Sequence, residues 1–294
     1  MKCLNPLKLV NPVYKKQYDL TDYWTRRQIE QEHDDFYVNI PCGHCEACIE
    51  RKSNEWAVRI YYEWLASDSS QFFTLTYADE YLTQNYVTFK YPTSEYEILT
   101  PVLCKRDVQL FMKRLRYYLG NGIRFFLGGE YGEQFSRPHY HFIIFNYPKK
   151  YSDDDLLELV QKCWSYGNVQ SSETNIRRVM YVAKYIYSDS MIDRRLVKGF
   201  VPPFILASRM PGLGYQYIDE CSKAFHNGSL ETTVAIDEGR IMPMPRYYRG
   251  KLFTDESKEV LLSRFLQQNG QLPTDDEKYI FLKRFYNKSK NKKI

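Results

Sequence analysis

Residues 137–145 read Arg-Pro-His-Tyr-His-Phe-Ile-Ile-Phe, and this stretch decides how the fold is interpreted. Its β-branched and aromatic residues predict a strand. Because strand side chains alternate between faces, His139 and His141 project to the same side, where two neighbouring imidazoles can share a metal ion. The alternative is a pair of partly exposed histidines at the edge of a strand, with no metal between them.

A carboxylate is the expected third ligand of such an ion. Two neutral imidazoles are too few for a hard cation, and Mg²⁺ and Mn²⁺ both favour oxygen ligands. The strand predicted near residues 123–130 ends in the glycine-flanked acid Glu130, a short hairpin away from the histidines. Glu130 is therefore the predicted ligand and Glu133 the alternative, although Glu130 could instead be a solvated residue at a strand end.

A helix is predicted over residues 178–190, which contain good helix formers, no Gly or Pro, and apolar residues at helical spacing. Tyr181 and Tyr185 are four residues apart, so their phenols project from one face with Lys184 beside them. This arrangement suits a pair of nucleophiles. In a chain with 27 tyrosines, however, the pair could simply stabilise the helix.

The second group of candidate ligands is the Cys-x-x-Cys-x-x-Cys motif formed by Cys42, Cys45 and Cys48. A tetrahedral Zn²⁺ site needs a fourth ligand, for which Cys3 is predicted, because His44 is squeezed between two ligands. The same thiolates could hold an iron–sulfur cluster, or they could be inert thiols. The remaining cysteines are predicted to be ordinary core residues: Cys104, Cys163 and Cys221.

Composition limits the class of protein. The chain has 294 residues, of which 44% are hydrophobic, and this is enough to bury a sizeable core. We find no run of 18 or more apolar residues and no signal peptide, so neither a membrane protein nor a secreted one is expected. Seven cysteines, an odd number with a tight cluster, indicate a reducing compartment. The net charge of +5 does not by itself imply nucleic acid.

Several short strands with hairpin-like returns predict an α+β fold, in which a central antiparallel sheet is covered by helices. We expect an irregular Cys-rich segment over 1–53, a core domain over 54–200 and a mainly helical extension over 201–294. No phosphate-binding loop of a helicase is present in the sequence. Helices are predicted near 54–66, 105–119, 153–164 and 214–226, with two more within 255–290, and further strands near 71–77, 86–89 and 231–236.

Three of these motifs, in this order, resemble those of the HUH endonuclease superfamily, the rolling-circle replication initiators. They are Phe-Thr-Leu-Thr within 71–77, the histidine pair within 139–141, and Tyr-x-x-Lys-Tyr over 181–185. Further stretches are similar to the initiators of the gokushovirus group of microviruses, which are single-stranded DNA phages. These stretches are the opening Met1–Pro6, Pro41–Cys48, Arg209–Gly214 and Pro245–Tyr248.

The resemblance implies an HUH-like fold and a metal-dependent enzyme that nicks and rejoins DNA. Tyr181 and Tyr185 would be the nucleophiles, forming a 5′-phosphotyrosine link and freeing a 3′-OH, with Lys184 as a nearby cation. Mg²⁺ or Mn²⁺ would be the cofactor at the histidines. Single-stranded and origin DNA, a host helicase and the host replication machinery would be the partners, in the cytoplasm of a bacterial host.

Basic residues near Gly, Pro and Tyr are weaker candidates for contacts with DNA phosphates. We assign Arg137, Arg209 and Arg246 to this class. The basic tail could raise non-specific affinity for phosphates. It consists of Lys283, Arg284, Lys288, Lys290, Lys292 and Lys293.

Three other functions remain open from the sequence. The chain could be a plasmid relaxase or transposase of the same superfamily, although two tyrosines speak against it. It could be a non-catalytic zinc-containing protein that binds nucleic acid, in which histidines and tyrosines are structural. It could also be an unrelated metal-dependent hydrolase that uses water as the nucleophile. Only a tyrosine nucleophile leaves DNA covalently attached to the protein.

Overall fold

The structure is a computed structural model, and it describes most of the chain. The described residues are 3–11, 14–15, 19, 22–34, 36–132, 136–185, 197–237, 239–268 and 274–290. Within them the α-helices are α1 (Tyr23–Glu32), α2 (Glu46–Leu65), α3 (Lys105–Leu119), α4 (Asp153–Cys163), α5 (Ile176–Tyr185), α6 (Glu220–Ser229), α7 (Arg246–Leu252), α8 (Asp255–Gln268) and α9 (Asp275–Lys290).

The strands of the same residues form four antiparallel sheets. They are β1 (Leu7–Val10), β2 (Tyr37–Ile40), β3 (Ser70–Thr76), β4 (Gln84–Lys90), β5 (Glu95–Pro101), β6 (Arg124–Tyr131), β7 (Pro138–Phe145), β8 (Val169–Glu173), β9 (Val197–Lys198), β10 (Phe204–Ala207), β11 (Thr233–Ile236) and β12 (Arg240–Pro243).

The central sheet has five strands in the order β10-β6-β7-β3-β8, and every neighbouring pair is antiparallel. Its middle strand, β7, carries the histidine pair and is hydrogen-bonded on both sides. Smaller sheets pair β1 with β2 and β11 with β12, and join β5, β4 and β9. The α+β fold with an antiparallel sheet covered by helices is therefore confirmed.

Both faces of the central sheet are buried because its strands are apolar on both sides. On one face, Phe73 and Phe142 pack with residues of α3 and α4. On the other, Phe72 and Ile143 pack with residues of α2 and α5. Each fully buried side chain of this kind contributes about 1.5–3 kcal/mol of transfer free energy. The sheet is thus a rigid layer between two helical layers, and its second face carries the histidines.

The N-terminal region is more regular than the sequence suggests. Residues 1–53 were expected to be irregular, and this is wrong: β1 and β2 pair in register, α1 begins after Asp22, and α2 already begins at Glu46. The Asp22 side chain accepts hydrogen bonds from the first backbone N–H groups of α1 and caps that helix. Short polar strands and capped helices carry little apolar periodicity, so the pattern was weak.

The chain divides into two compact units. One comprises Met1–Lys52, Lys223–Glu231 and Lys251–Ile294, and the other comprises Ser53–Ser222 and Thr232–Gly250. The domain boundaries given above remain predictions. Of the helices in the described residues, none combines the length and the apolar character that crossing a membrane requires.

Candidate active site

The two histidines and Glu130 meet on one face of the central sheet. Glu130 lies directly opposite His139 in the β6–β7 register, and Gly128 lies opposite His141. One carboxylate oxygen, Oε1 of Glu130, lies 2.9 Å from Nε2 of His139 and 2.7 Å from Nε2 of His141. The hairpin therefore brings together the three residues that the sequence assigned to one metal ion.

The glycines before Glu130 are explained by what lies across the strand. Gly129 pairs with Tyr140, and a Cβ atom on Gly129 would lie 3.0 Å from the Tyr140 ring and 3.1 Å from Leu103. A side chain at Gly129 would thus displace the ring that packs behind the two histidines. The glycine allows Tyr140 to stay buried while Glu130 points to the opposite face.

The pKa values of the cluster are set by mutual contact against burial. Burial alone would raise the pKa of the Glu130 carboxyl, but hydrogen bonds and charge from His139 and His141 outweigh it and lower that pKa below 4.5. Burial would lower the pKa of His139, but Glu130 outweighs it and raises that pKa above 6.5. The site therefore favours a carboxylate beside a cation.

Contacts behind the histidines fix their orientation. The carbonyl oxygen of Arg137 lies 3.2 Å from Nδ1 of His139, and since a carbonyl can only accept, Nδ1 donates and Nε2 faces Glu130. Oγ1 of Thr74 lies 3.3 Å from Nδ1 of His141, and the Phe72 ring stacks on the His141 ring with centroids 5.6 Å apart. Such partners orient imidazoles toward a metal ion.

The cluster could hold a metal ion, since one ligand atom from each of Glu130, His139 and His141 lies within 4.8 Å of the others. Two nitrogens and a carboxylate oxygen form a donor set that Mn²⁺ accepts, with further positions left for water or phosphate oxygens. In the structure, hydrogen bonds between the two imidazoles and Glu130 take the place of bonds to a cation.

Tyr181 lies beside this cluster. Its ring is edge-on to the His141 ring at a centroid distance of 5.2 Å, and 39% of the residue is exposed. Val179 and Val182 of the same helix are buried against the sheet, which leaves Tyr181 at the boundary between core and solvent. The phenol is thus next to the candidate ligands and open to solvent.

The other two residues of the tyrosine motif are located only by their backbone. Lys184 and Tyr185 belong to the last turn of α5, and their side chains lie outside the described part of the structure. The helical backbone retains the four-residue spacing between Tyr181 and Tyr185. Glu133, the alternative carboxylate ligand, also lies outside the described residues.

Arg137 is engaged with the loop after β3. Its guanidinium forms an ion pair with Asp79 and donates a hydrogen bond of 2.9 Å to the carbonyl oxygen of Tyr77. This contact fixes the start of β7 beside the end of β3, next to the histidines. Contact of Arg137 with DNA stays a prediction.

The four predicted zinc ligands also meet. The sulfur atoms of Cys3, Cys42, Cys45 and Cys48 lie within 4.8 Å of one another, with 3.6 Å between Sγ of Cys3 and Sγ of Cys45. Cys3 was the preferred fourth ligand, and the alternative, His44, is exposed and is not among the four. The group could hold a metal ion.

Backbone N–H groups donate to the sulfurs, as expected where thiolates are stabilised. Cys42 N donates to Cys3 Sγ at 3.2 Å, and Leu4 N to Cys45 Sγ at 3.4 Å. Burial would raise the pKa of Cys45, but these and neighbouring hydrogen bonds lower it to about 7. Burial and the adjacent sulfurs raise the pKa of Cys48 to about 12. Without a cation, the cluster therefore does not hold four thiolates at neutral pH.

The scattered cysteines were expected in the core, and this is right only for Cys163, which is buried; Cys104 is half-buried and Cys221 is exposed. Sequence reasoning also missed Thr74 as a partner of His141, because the contact depends on the β3–β7 register. The alternation of hydroxyl and apolar residues in β3 was the available signal.

The predicted DNA-contacting residues outside the core motifs are exposed. Arg209 follows β10, and Arg246 begins α7. Lys283 and Arg284 of the basic tail lie in α9, as does the backbone of Lys288 and Lys290; the last two lysines lie outside the described residues.

Comparison with known proteins gives consistent matches. Residues 70–190, which span β3 to the tyrosine helix, match the family model of the replication-associated protein ORF2. The chain is 26% identical to the replication-associated protein VP4 of Bdellovibrio phage phiMH2K over 85% of this chain and 76% of that protein. It is 24% identical to the replication-associated protein ORF2 of Spiroplasma virus 4, over 89% and 83%.

A third relative is the replication-associated protein ORF4 of Chlamydia phage 1, 27% identical over 59% of this chain and 42% of that protein. All three matches are to replication-associated proteins of viruses that infect bacteria, and the matched region contains both histidines, Glu130 and Tyr181. The resemblance drawn from the motifs is thereby confirmed: the chain is similar to the replication initiators of gokushovirus-type microviruses.

Proposed function

We propose that this chain is a replication-initiating endonuclease that nicks phage DNA at an origin through a tyrosine and later rejoins the strand. The observation that carries the proposal is the contact of Tyr181 with His141 at the edge of the Glu130 and histidine cluster. A half-exposed phenol beside three inward-facing ligands fits a nucleophile next to a metal-bound phosphate. The similarity to replication-associated proteins of microviruses supports the same role.

In the proposed step, Oη of Tyr181 attacks the scissile phosphorus. The new bond is a tyrosine–phosphorus ester, the bond to the 3′-oxygen of the preceding nucleotide breaks, and that oxygen takes a proton to become a free 3′-OH. A phenol has a pKa of about 10, so its proton must leave as the bond forms. A divalent cation, Mg²⁺ or Mn²⁺, supplies charge neutralisation on the phosphate when bound.

The protein's own residues prepare this step. Glu130, His139 and His141 would hold the cation, and Thr74 and Phe72 keep His141 oriented toward Glu130. The rigid sheet keeps their positions fixed before DNA arrives, which is the main requirement of phosphoryl transfer.

The second tyrosine and the lysine complete the proposal. Tyr185, one helical turn after Tyr181, would make the second cut, so that one tyrosine holds the strand while the other cleaves. Lys184 would neutralise charge at the phosphate. Rejoining would follow by attack of the free 3′-OH on the phosphotyrosine, which restores the phosphodiester bond and the phenol.

We further propose that the four cysteines hold a structural Zn²⁺ ion. The tetrad is buried with its backbone donors and lies at the beginning of α2, so that an ion there would tie Cys3 to the helix start. We find no helicase motif in this chain, and a host helicase and the host replication machinery are the proposed partners that unwind and copy the DNA.

The decisive experiment is incubation with circular single-stranded phage DNA and with 5′- or 3′-labelled oligonucleotides, in Mn²⁺ or EDTA, followed by denaturing electrophoresis. We expect a Mn²⁺-dependent covalent adduct that carries the fragment on the 3′ side of the cut. The adduct should be lost in the double variant Tyr181→Phe/Tyr185→Phe and in His139→Ala. Tyr117→Phe is the matched control, because Tyr117 is 84% exposed on α3 and outside the cluster.

Two results would contradict the proposal. Cleavage without an adduct would indicate a hydrolase that uses water. Binding of the phage DNA with neither cleavage nor adduct would favour the zinc-containing binding protein. If both single Tyr→Phe variants cut and rejoined DNA at the full rate, strict alternation of the tyrosines would be wrong.

A further inference from the structure

Residues 209–214, Arg-Met-Pro-Gly-Leu-Gly, form a loop after β10 whose backbone is held by buried charged side chains. Glu63 of α2 is fully buried and pairs with Arg124 of β6. Arg124 also donates a hydrogen bond of 3.0 Å to the carbonyl oxygen of Pro211, and Glu63 accepts one of 2.8 Å from the Gly214 N–H. An ion pair taken out of water costs desolvation, so its value here lies in fixing this loop.

A second set of contacts holds the same loop from the other side. Arg59 is stacked between the rings of Trp56 and Tyr247, with its guanidinium carbon 4.4 Å and 4.3 Å from their centroids. Its Nε donates to the carbonyl oxygen of Leu213 at 3.1 Å. Tyr247 accepts a hydrogen bond from Gly212 N, and a Cβ atom on Gly212 would lie 2.8 Å from its ring. The base of the loop is therefore built and rigid.

The tip of this loop presents an apolar side chain to solvent. Met210 is 95% exposed, more than any other large apolar residue in the described part of the chain. Arg209 beside it is exposed as well. Polar residues would be the ordinary choice at such a tip, and a rigid base under an exposed methionine indicates a binding function rather than a loose loop.

The charge around the tip indicates what it binds. Residues 208–218, which contain the loop, and residues 239–250, which supply Tyr247, include no Asp or Glu. They contain four arginines: Arg209, Arg240, Arg246 and Arg249. A basic surface around one apolar side chain complements a polyanion whose interior is apolar, and this describes duplex DNA.

We propose that Met210 is a wedge that inserts between neighbouring base pairs of the DNA duplex, while Arg209 and Arg246 contact the flanking phosphates. This inference rests on the proposed action of the chain on DNA. Apolar side chains inserted in this way unstack a base step and untwist or kink the duplex. Insertion would locally open the duplex next to the strand that is cut.

The position of the loop suits this role. Arg124, which holds the loop, and Glu130 of the ligand cluster lie on the same strand and project from the same sheet face. Six strand residues span about 20 Å, which equals about six base steps of B-form DNA. One bound duplex could therefore meet both the wedge and the cutting site.

The test uses unwinding of a closed circular plasmid, which needs no known origin. Full-length protein in the Tyr181→Phe/Tyr185→Phe background, which keeps the plasmid uncut, is bound to plasmid relaxed by a metal-independent topoisomerase. After removal of protein, the change in linking number is read by gel electrophoresis, and binding is measured in parallel by gel shift. The variants are Met210→Gln, Met210→Leu, and Leu99→Ala as a control on the exposed hairpin strand β5.

We expect the parent protein, Met210→Leu and Leu99→Ala to lower the linking number, and Met210→Gln to lower it about tenfold less per bound protein, as loss of an unstacking contact implies. Equal unwinding by Met210→Gln at equal binding would overturn the wedge and leave the endonuclease proposal intact. Absence of binding by the parent protein would overturn both. Loss of unwinding in Met210→Leu would also count against an apolar wedge.

Discussion

Glu130 and His139 face each other across the β6–β7 pair, and a single carboxylate oxygen of Glu130 lies 2.9 Å from Nε2 of His139. The same oxygen lies 2.7 Å from Nε2 of His141. Both imidazoles therefore converge on one atom, which is the arrangement expected when a cation takes the place of the shared proton. Burying these polar groups costs desolvation free energy that an apolar core would not incur.

Thr74 should tune metal binding without being a ligand. Its hydroxyl lies 3.3 Å from Nδ1 of His141, and a partner of this kind orients the ring and sets its basicity. Thr74→Val keeps the shape and removes the hydroxyl, so we expect Mn²⁺ affinity to fall by about tenfold. Titration calorimetry measures this, with Thr88→Val on β4 as the control. Unchanged affinity in Thr74→Val would show that the hydroxyl does not orient His141.

The ligand cluster could be predicted because it depends on local rules. Alternation along a strand places His139 and His141 together, and a hairpin returns Glu130 to them. Thr74 could not be predicted, because its place beside His141 requires the β3–β7 register, which pairs residues far apart in sequence. Spacing within one segment carries no information about such pairings.

The edges of the central sheet were also not predictable. β8 reads Val-Gln-Ser-Ser-Glu, with no apolar alternation, and β10 has only four residues, all half-buried. β10 pairs with β6 although it comes from the region that was expected to form a mainly helical extension. Short edge strands are defined by the neighbour that they join, and their own residues are under weaker constraint.

Tyr140, between the two histidines, should matter for stability rather than chemistry. Its hydroxyl accepts a hydrogen bond of 2.8 Å from Cys104 N and lies 3.1 Å from the Tyr77 hydroxyl, which donates to Asp107. Tyr140→Phe leaves a buried N–H unpaired, so we expect the free energy of unfolding to fall by about 1–3 kcal/mol. Urea denaturation measures it, and Tyr117→Phe should change it by less than about 0.5 kcal/mol. Equal stability of the two variants would contradict this role.

Removal of metal from the cysteine cluster should destabilise the unit that contains it. Cys45, with a pKa lowered to about 7, is half deprotonated near neutral pH, and a dication would allow the other thiols to lose their protons. We expect native mass spectrometry to detect zinc on the parent chain and on Cys221→Ser, and no zinc on Cys45→Ser. A chelator should then lower the melting temperature of the parent toward that of Cys45→Ser. Zinc retained by Cys45→Ser would place the ion elsewhere.

The capping box of α4 gives a prediction about pH. Ser152 and Asp155 exchange hydrogen bonds at the helix start, and those from Ser152 lower the pKa of Asp155 below 3.8. A carboxyl whose pKa is lowered by folding stabilises the fold above its unfolded pKa and loses this contribution as the pH falls through the folded value. Asp155→Asn should therefore lower the melting temperature at pH 7 and differ less from the parent below about pH 4. Asp154→Asn removes the same charge from the same helical turn without the capping box, and a pH-dependent difference of equal size in that control would assign the effect to the helix dipole instead.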